Sequence, residues 1–347
     1  MMTIALFNNK GGVGKTSLAY HLAWMFADLG VSVVAADLDP QANLTSMFLD
    51  EDRLLEVWPD GPHPDSVSGV VAPILKGTGD IAAVHVEPIS DSIGLIVGDL
   101  GLSLYEDRLS SAWPQCVDGN EAAFRAVSAF HRMLDQAVVA RGASLVIVDV
   151  GPNLGAINRA TLIAAEHVVI PMAPDLFSLQ GLRNLGPTLR TWRSSWADRL
   201  ARNPDPSLEL PSGRMSPLGY VVLQHAVRLD RPARAYGRWM DRIPGEYRRS
   251  VLATSDLDVP TVTDDPNCLA TIKHYRSLMP LAMEARKPMF ALRPADGAIG
   301  AHMAAVQECY SDFRELAMRI ATRASLPGVG AEAAYPPAPT LTVASGE

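Results

Sequence analysis

The chain has 347 residues, 48% of them hydrophobic and 20% charged, and its 30 Lys and Arg against 38 Asp and Glu give a formal net charge of −8. That balance excludes a disordered chain and a small scaffold that needs staples to fold, and the absence of any uncharged apolar run of 18 residues excludes a helical membrane span. The net charge argues against a nucleic-acid partner on average, although an average can hide a local basic patch.

The chain enters directly into Thr3–Phe7, with no basic segment leading into a long apolar one, so we expect no secretory signal and a cytoplasmic protein. Cys116, Cys268 and Cys309 are odd in number and widely spaced, which fits neither a disulfide framework nor a metal site. Lysine is scarce: five residues (10, 15, 76, 273, 287) against 25 arginines, and two of the five bracket a glycine cluster.

In chain order, Thr3–Phe7 reads as a short buried strand. Lys15–Leu29 places apolar residues at 18, 19, 22, 23, 25, 26 and 29, the helical period, and Gly30 is a natural helix stop. Val31–Ala36 is an almost continuous apolar strand, as expected of one covered on both faces. Strand, helix and strand within so short a span make a parallel crossover.

Residues 51–80 and 200–217 are rich in Pro, Gly, Asp and Ser and read as loops or irregular connections. Ile93–Val97 is a strand, Glu121–Ala140 a helix ended by Gly142, and Leu145–Val148 a strand closing on Asp149. His167–Ile170 and Leu218–Leu223 are further strands. The expected architecture is α/β: a doubly wound, mostly parallel sheet with helices on both faces, one domain over residues 1–325. Leu326–Glu347 holds four prolines and almost no charge, and reads as a flexible tail.

The strongest local signal is Lys10-Gly11-Gly12-Val13-Gly14-Lys15-Thr16-Ser17, after a strand and opening a helix. The strict Gly-x-x-x-x-Gly-Lys-Thr pattern fails, because position 9 is Asn9. The mechanism is intact nonetheless. Glycines let backbone amides curve into an anion nest, and the helix N-terminus adds donors and partial positive charge. Lys15 can reach the β- and γ-phosphates of a nucleotide, and the Thr16 hydroxyl can ligate Mg²⁺. Asp37 and Asp39 follow the second strand, and Asp149 ends another. Ligands bind outside the carboxyl ends of such strands, where carboxylates can hold Mg²⁺ and orient a water.

Residues 10–16, KGGVGKT, match letter for letter the deviant Walker A motif of the ParA/MinD family, and the chain resembles that family from Met2 to Thr322. The resemblance implies a P-loop NTPase fold and an ATP hydrolase that uses ATP and Mg²⁺. It implies that Lys10 reaches across an ATP-dependent homodimer to the partner's nucleotide. Asp37–Thr45 is similar to the family's DxDPQxN segment, with Ala42 where Gly is usual; by that likeness Asp39 positions the attacking water and Asp37 supports it. Asp149 takes the Walker B role, contacting Mg²⁺. Gly151–Gly155 resembles the switch loop, with one proline, Pro152, where two are usual. Val169–Leu182 is similar to the segment near the adenine, which brings in Pro174 and Asp175.

The family's ParA branch binds DNA without sequence preference, and its MinD branch binds membrane. Residues 228–249 hold seven arginines against Asp230, Asp241 and Glu246, a local charge of +4. Arg231, Arg234, Arg238 and Arg242 recur at three- and four-residue spacing and can share a helix face that meets phosphates. Arg183, Arg190, Arg193 and Arg199 form a looser set. The Pro-rich end, with no basic face, cannot form an amphipathic membrane helix. The expected function is slow ATP hydrolysis that partitions or positions DNA or a protein cargo. An adaptor protein would stimulate hydrolysis, and the ATP-bound form would sit on the nucleoid. The alternative is an ATPase of the same superfamily acting on a protein or metabolic partner without DNA. An iron–sulfur relative needs gathered cysteines, which this chain lacks, and a tyrosine kinase needs a Tyr-rich tail, where only Tyr335 stands.

Overall fold

The structure, a computed structural model, describes residues 2–223, 233–254, 258–275 and 277–329, the side chains of 233–236 excepted. Its strands are β1 (Met2–Leu6), β2 (Val33–Asp37), β3 (Glu87–Pro88), β4 (Ile93–Ile96), β5 (Leu145–Asp149), β6 (His167–Met172), β7 (Ser216–Leu223) and β8 (Cys268–Ile272). They form one sheet in the order β3-β4-β2-β5-β1-β6-β7-β8. Every neighbouring pair is parallel except the edge pair β3–β4.

Alternate residues of each central strand feed two cores, which is why these strands are apolar throughout. Ala5, Val34, Ala36, Val146 and Val148 face Phe124, Phe130 and Trp196, under the helices Tyr105–Gln115, Ala129–Arg141, Ala156–Ala164 and Leu176–Leu200. Ile4, Leu6, Val33, Ala35, Leu145 and Ile147 face Leu18, Leu22, Phe26 and Phe313, under the helices Lys15–Asp28 and Ala301–Ala324. The doubly wound, mostly parallel sheet is therefore as expected.

Register sets up the site. Leu6 pairs with Asp149, and Asp149 with Asp37. The carboxyl ends of β1, β5 and β2 thus lie level, with the two acids side by side.

Three expectations need correction. Residues 51–80 are not merely irregular: helices run over Glu51–Val57 and Val67–Lys76. The polar residues that read as loop are their caps, since the Asp50 carboxylate accepts from the Arg53 amide at 2.8 Å and the Ser66 hydroxyl from Gly69 at 3.4 Å. The expected helix Glu121–Ala140 divides into Glu121–Val127 and Ala129–Arg141. Helical hydrogen bonds continue across Ser128, from its amide to Phe124 O at 2.9 Å and to its carbonyl from Arg132 at 3.1 Å, so this is a kink. β8 was not anticipated, because Cys268–Ile272 mixes polar and apolar residues without a clear period. Of the expected tail, residues 326–329 are described; Leu326 is buried and Val329 packs on the same core.

Candidate nucleotide site

The loop after β1 depends on its glycines. Gly12 and Gly14 sit at φ +69° and +86°, where a side chain is strained, and a Cβ on Gly14 would lie 2.9 Å from Leu223 Cδ1 at the end of β7. The loop is tied to β6 as well: the Lys10 amide donates to Asn8 Oδ1 at 3.0 Å, and Asn8 Nδ2 donates to Pro171 O at 2.7 Å. The helix that follows, Lys15–Asp28, has no side-chain N-cap. Its first amides therefore face the loop with no side-chain acceptor, as an anion site requires.

Lys15 is 7% exposed, and its Nζ approaches the Lys10 carbonyl at 3.4 Å. Burial lowers its pKa against the pull of Asp149 and Asp39. Asp37 is fully buried and takes two hydrogen bonds on Oδ2, from the Thr45 amide and hydroxyl, both at 2.8 Å, while Oδ1 has no partner. Burial pushes its carboxyl up to about 7. Asp149 is fully buried too, and neither of its oxygens makes a hydrogen bond of normal geometry. Burial and then Asp37 beside it push the Asp149 carboxyl up to about 8, against Thr16 and Lys15. Asp39, 8% exposed, accepts from the Gln41 amide at 3.0 Å, and a Cβ on Gly151 would lie 3.3 Å from its Oδ1.

Three carboxylate oxygens of the buried Asp37 and Asp149 lack a hydrogen bond of normal geometry, and with the Thr16 hydroxyl beside Asp149 they make an oxygen donor set of the kind a hard cation such as Mg²⁺ takes.

These shifts have a consequence for stability. Folding lifts both acids out of the ordinary carboxylate range, so the folded chain keeps protons that the unfolded chain releases above about pH 4. The associated stability is full below that pH and is lost as pH rises toward 8. Asp149→Asn, which cannot ionise, is therefore expected to stabilise the nucleotide-free chain by on the order of 2 kcal/mol more at pH 8 than at pH 5.5. Thermal unfolding at the two pH values reads this; an equal shift at both would contradict it.

Lys10 forms an ion pair with Asp175, which also accepts from the Ser178 amide at 2.8 Å to cap the helix Leu176–Leu200. Burial tends to raise the Asp175 carboxyl, but Lys10 and Ser178 outweigh it and hold it below its usual value. Pro174 is buried beside it.

The structure thus gathers Lys10, Gly11–Ser17, Asp39, Asp149, Pro174 and Asp175 at one end of the sheet. Arg231 and the Arg234 side chain fall outside the described residues. Arg238 is exposed on the helix Ala233–Met240. Arg242 lies past that helix's end, at the cap of Ile243–Tyr247, with its guanidinium 5.2 Å over Trp239.

Other arginines serve the fold. Arg248 is buried against Asp265 at 2.8 Å, and Arg183 pairs with Glu246 at 2.8 Å. Arg190, Arg193 and Arg199 donate to the carbonyls of Ser250, Met215 and Trp113 at 2.7–2.9 Å. The three cysteines are free and buried. Two residues that sequence reasoning did not single out are structural to the site. Thr45 anchors Asp37 and takes the Gly98 amide on its hydroxyl at 2.8 Å. Glu106 caps the helix behind the loop 151–155 through the amides of Ala156 and Ile157, at 2.5 and 2.9 Å. Thr45 lies inside the recognised Asp37–Thr45 segment; Glu106 has no local signal at all.

A family model described as an AAA domain matches residues 1–201. The chain is 32% identical over 197 residues to the chromosome-partitioning ATPase Soj of Thermus thermophilus, covering 57% of this chain and 65% of that protein. Across the first curated relatives the match spans between 42% and 68% of the relative's own length. Among solved structures, a protein from Corynebacterium diphtheriae superposes with a TM-score of 0.69 at 23% identity, covering 93% of this chain and 98% of that one. An ATP complex of a McdA variant from Cyanothece superposes with a TM-score of 0.59 at 16% identity, covering 94% and 97%. At these identities the structural likenesses show the fold alone.

Proposed function

Because the chain belongs to the AAA-domain family, among its ParA/MinD-type ATPases, we propose that it is a partition-type ATPase. It binds ATP with Mg²⁺ and pairs with a second copy. The pair binds DNA without sequence preference and hydrolyses ATP slowly, so that DNA or a protein cargo is moved or positioned. An adaptor protein stimulates hydrolysis, and the protein works in the cytoplasm on the nucleoid. The observation that carries the reading is the convergence of Lys15, Thr16, Asp39 and Asp149 at the level ends of β1, β2 and β5. The relative named as a chromosome-partitioning ATPase supports it.

A Cβ on Gly11 would lie 3.8 Å from Pro152 Cγ and one on Gly151 3.3 Å from Asp39 Oδ1, so residues 151–155 border both the glycine loop and Asp39. Lys15 and the loop amides meet the negative charge of the β- and γ-phosphates, and Lys10 brings a second cation from the partner copy. Asp39 orients a water by accepting its hydrogen bond; no strong base is needed, because phosphoryl transfer depends mainly on positioning and charge neutralisation. Thr16, with Asp149 and Asp39, would hold Mg²⁺, which would supply further charge neutralisation. Among the described residues no helix is long and apolar enough to cross a membrane.

A second reading, an ATPase acting on a protein or metabolic partner without DNA, gains from the fact that Arg183, Arg190, Arg193, Arg199 and Arg248 each have an ion-pair or carbonyl partner within the chain, although Arg183 and Arg190 remain exposed. Sedimentation and ATPase assays with ATP and nonspecific duplex DNA separate the two. The first reading expects DNA binding that falls at least about tenfold between 50 and 200 mM salt, and further with Arg238→Glu and Arg242→Glu together. DNA binding absent at low salt, with ATP turnover intact, selects the second.

A further inference from the structure

Lys10 is not free to serve a partner. Its ammonium is paired within its own chain to Asp175, and both side chains are only about one-quarter exposed, at 26% and 23%. The two segments that carry them are bolted together. Asn8 Nδ2 reaches Pro171 O at 2.7 Å, and the helix beginning at Leu176 approaches so closely that a Cβ on Gly181 would lie 2.7 Å from Asn9 Oδ1. Asp175 divides its two oxygens between two tasks: Oδ1 caps the Ser178 amide at 2.8 Å, and Oδ2 takes Lys10. The cap does not depend on Lys10, so the lysine can leave without unravelling the helix. What opposes its leaving is the charge on Asp175.

We propose that Asp175 is a positioning residue that retains Lys10 in the nucleotide-free chain, so that nucleotide phosphate and Asp175 compete for the same ammonium and the ion pair sets the ATP threshold for pairing of two copies. The inference rests on the proposed ATP-dependent pairing, in which Lys10 serves the partner's nucleotide. One anion is exchanged for another, which keeps the lysine paired in both states and avoids leaving a half-buried ammonium unmet. Pairing engages two such lysines, so removal of the retaining charge acts twice in each dimer.

Asp175→Asn is the informative variant, since asparagine caps a helix as well as aspartate does but carries no charge. In the full chain without nucleotide, labelling of Lys10 by an amine-reactive reagent, read by mass spectrometry, is expected to be several-fold faster in Asp175→Asn than in wild type. With a non-hydrolysable ATP analogue, half-maximal association in the ultracentrifuge is expected at about 5- to 10-fold lower protein concentration. Adding Lys10→Ala is expected to remove that gain. Equal labelling of Lys10 in the two proteins overturns the retention, whatever their association. Unequal labelling with equal association overturns its role in setting the threshold. Unequal labelling when neither protein associates with the analogue upholds the retention and counts against the pairing itself.

Discussion

Lys15→Ala protein is expected to turn over ATP at a rate roughly 10²–10³-fold below wild type and to lose ATP-dependent association. The magnitude follows from where the lysine sits. It is 7% exposed, so no water replaces its ammonium efficiently, and it faces Asp149 and Asp39 rather than solvent. Its removal takes the donor proposed for the β- and γ-phosphates and leaves Asp149 and Asp39 without the cation they face. The bound polyphosphate then meets those acids with one cation fewer, so affinity and rate fall together.

The free protein should respond differently. Asp149 and Asp37 are already pushed toward protonation by burial. Loss of the neighbouring cation pushes them further, so the variant is expected to fold nearly as well as wild type at pH 6 and to lose stability as pH rises toward 8. Phosphate release in steady state, with thermal unfolding at both pH values as the control for folding, checks this. Turnover within a factor of three of wild type would remove Lys15 from the phosphate site and with it the proposed function.

The parts of this site that were legible in the sequence are those whose chemistry is local. A parallel strand covered on both faces must be apolar throughout, so an acid at its end stands out; Asp37 and Asp149 announce themselves that way. The glycines at 11, 12 and 14 are legible because positive φ demands them at two of the three positions. Chain order and register then bring distant acids level, and that follows from a parallel sheet without knowledge of any side-chain contact. What was not legible is what depends on partners far along the chain. Arg183 pairs with Glu246 across 63 residues of chain, and Arg248 with Asp265 across 17, separations at which no sequence spacing marks a partner. A row of arginines reads the same in sequence whether it meets phosphate or a neighbouring carbonyl. The capping of residues 51–80 was hidden for a related reason: Asp and Ser favour turns and helix starts alike, and burial of Val57, Val67, Val70 and Ile74 decides between them.

The long helix Leu176–Leu200 gives the sharpest test of packing. Glycine inside a helix ordinarily costs about 1 kcal/mol relative to alanine, so Gly→Ala should stabilise wherever a methyl group has room. At Gly237, in the helix Ala233–Met240, no atom of the described residues lies within 4 Å of the added Cβ, and Gly237→Ala is expected to be neutral or to stabilise by up to about 1 kcal/mol. At Gly186 the sign reverses. Its Cβ would stand 1.8 Å from Ser250 O and 2.4 Å from Ser250 C, so the backbone of the π-helical turn Arg248–Leu252 must retreat.

That turn is held from several sides. Arg190 donates to the Ser250 carbonyl at 2.7 Å, the Ser250 hydroxyl donates to Glu246 at 2.6 Å, and Arg248 is buried against Asp265, which also accepts from Tyr220 at 2.7 Å. Retreat breaks these bonds in a buried setting, so Gly186→Ala is expected to cost about 3 kcal/mol or more, a fall in Tm of roughly 6–10 °C. Differential scanning of both variants reads the contrast, and a Gly186→Ala protein as stable as Gly237→Ala would place the helix farther from the turn than this packing requires. The same helix begins at Leu176, five residues before Gly181 meets Asn9 and ten before Gly186 meets Ser250. Its two glycines therefore fix its approach at both the nucleotide loop and the arginine-bearing segment. A methyl at Gly186 displaces the far half of this helix, and nucleotide, proposed to bind at its Asp175 end, is expected to recover part of the lost stability.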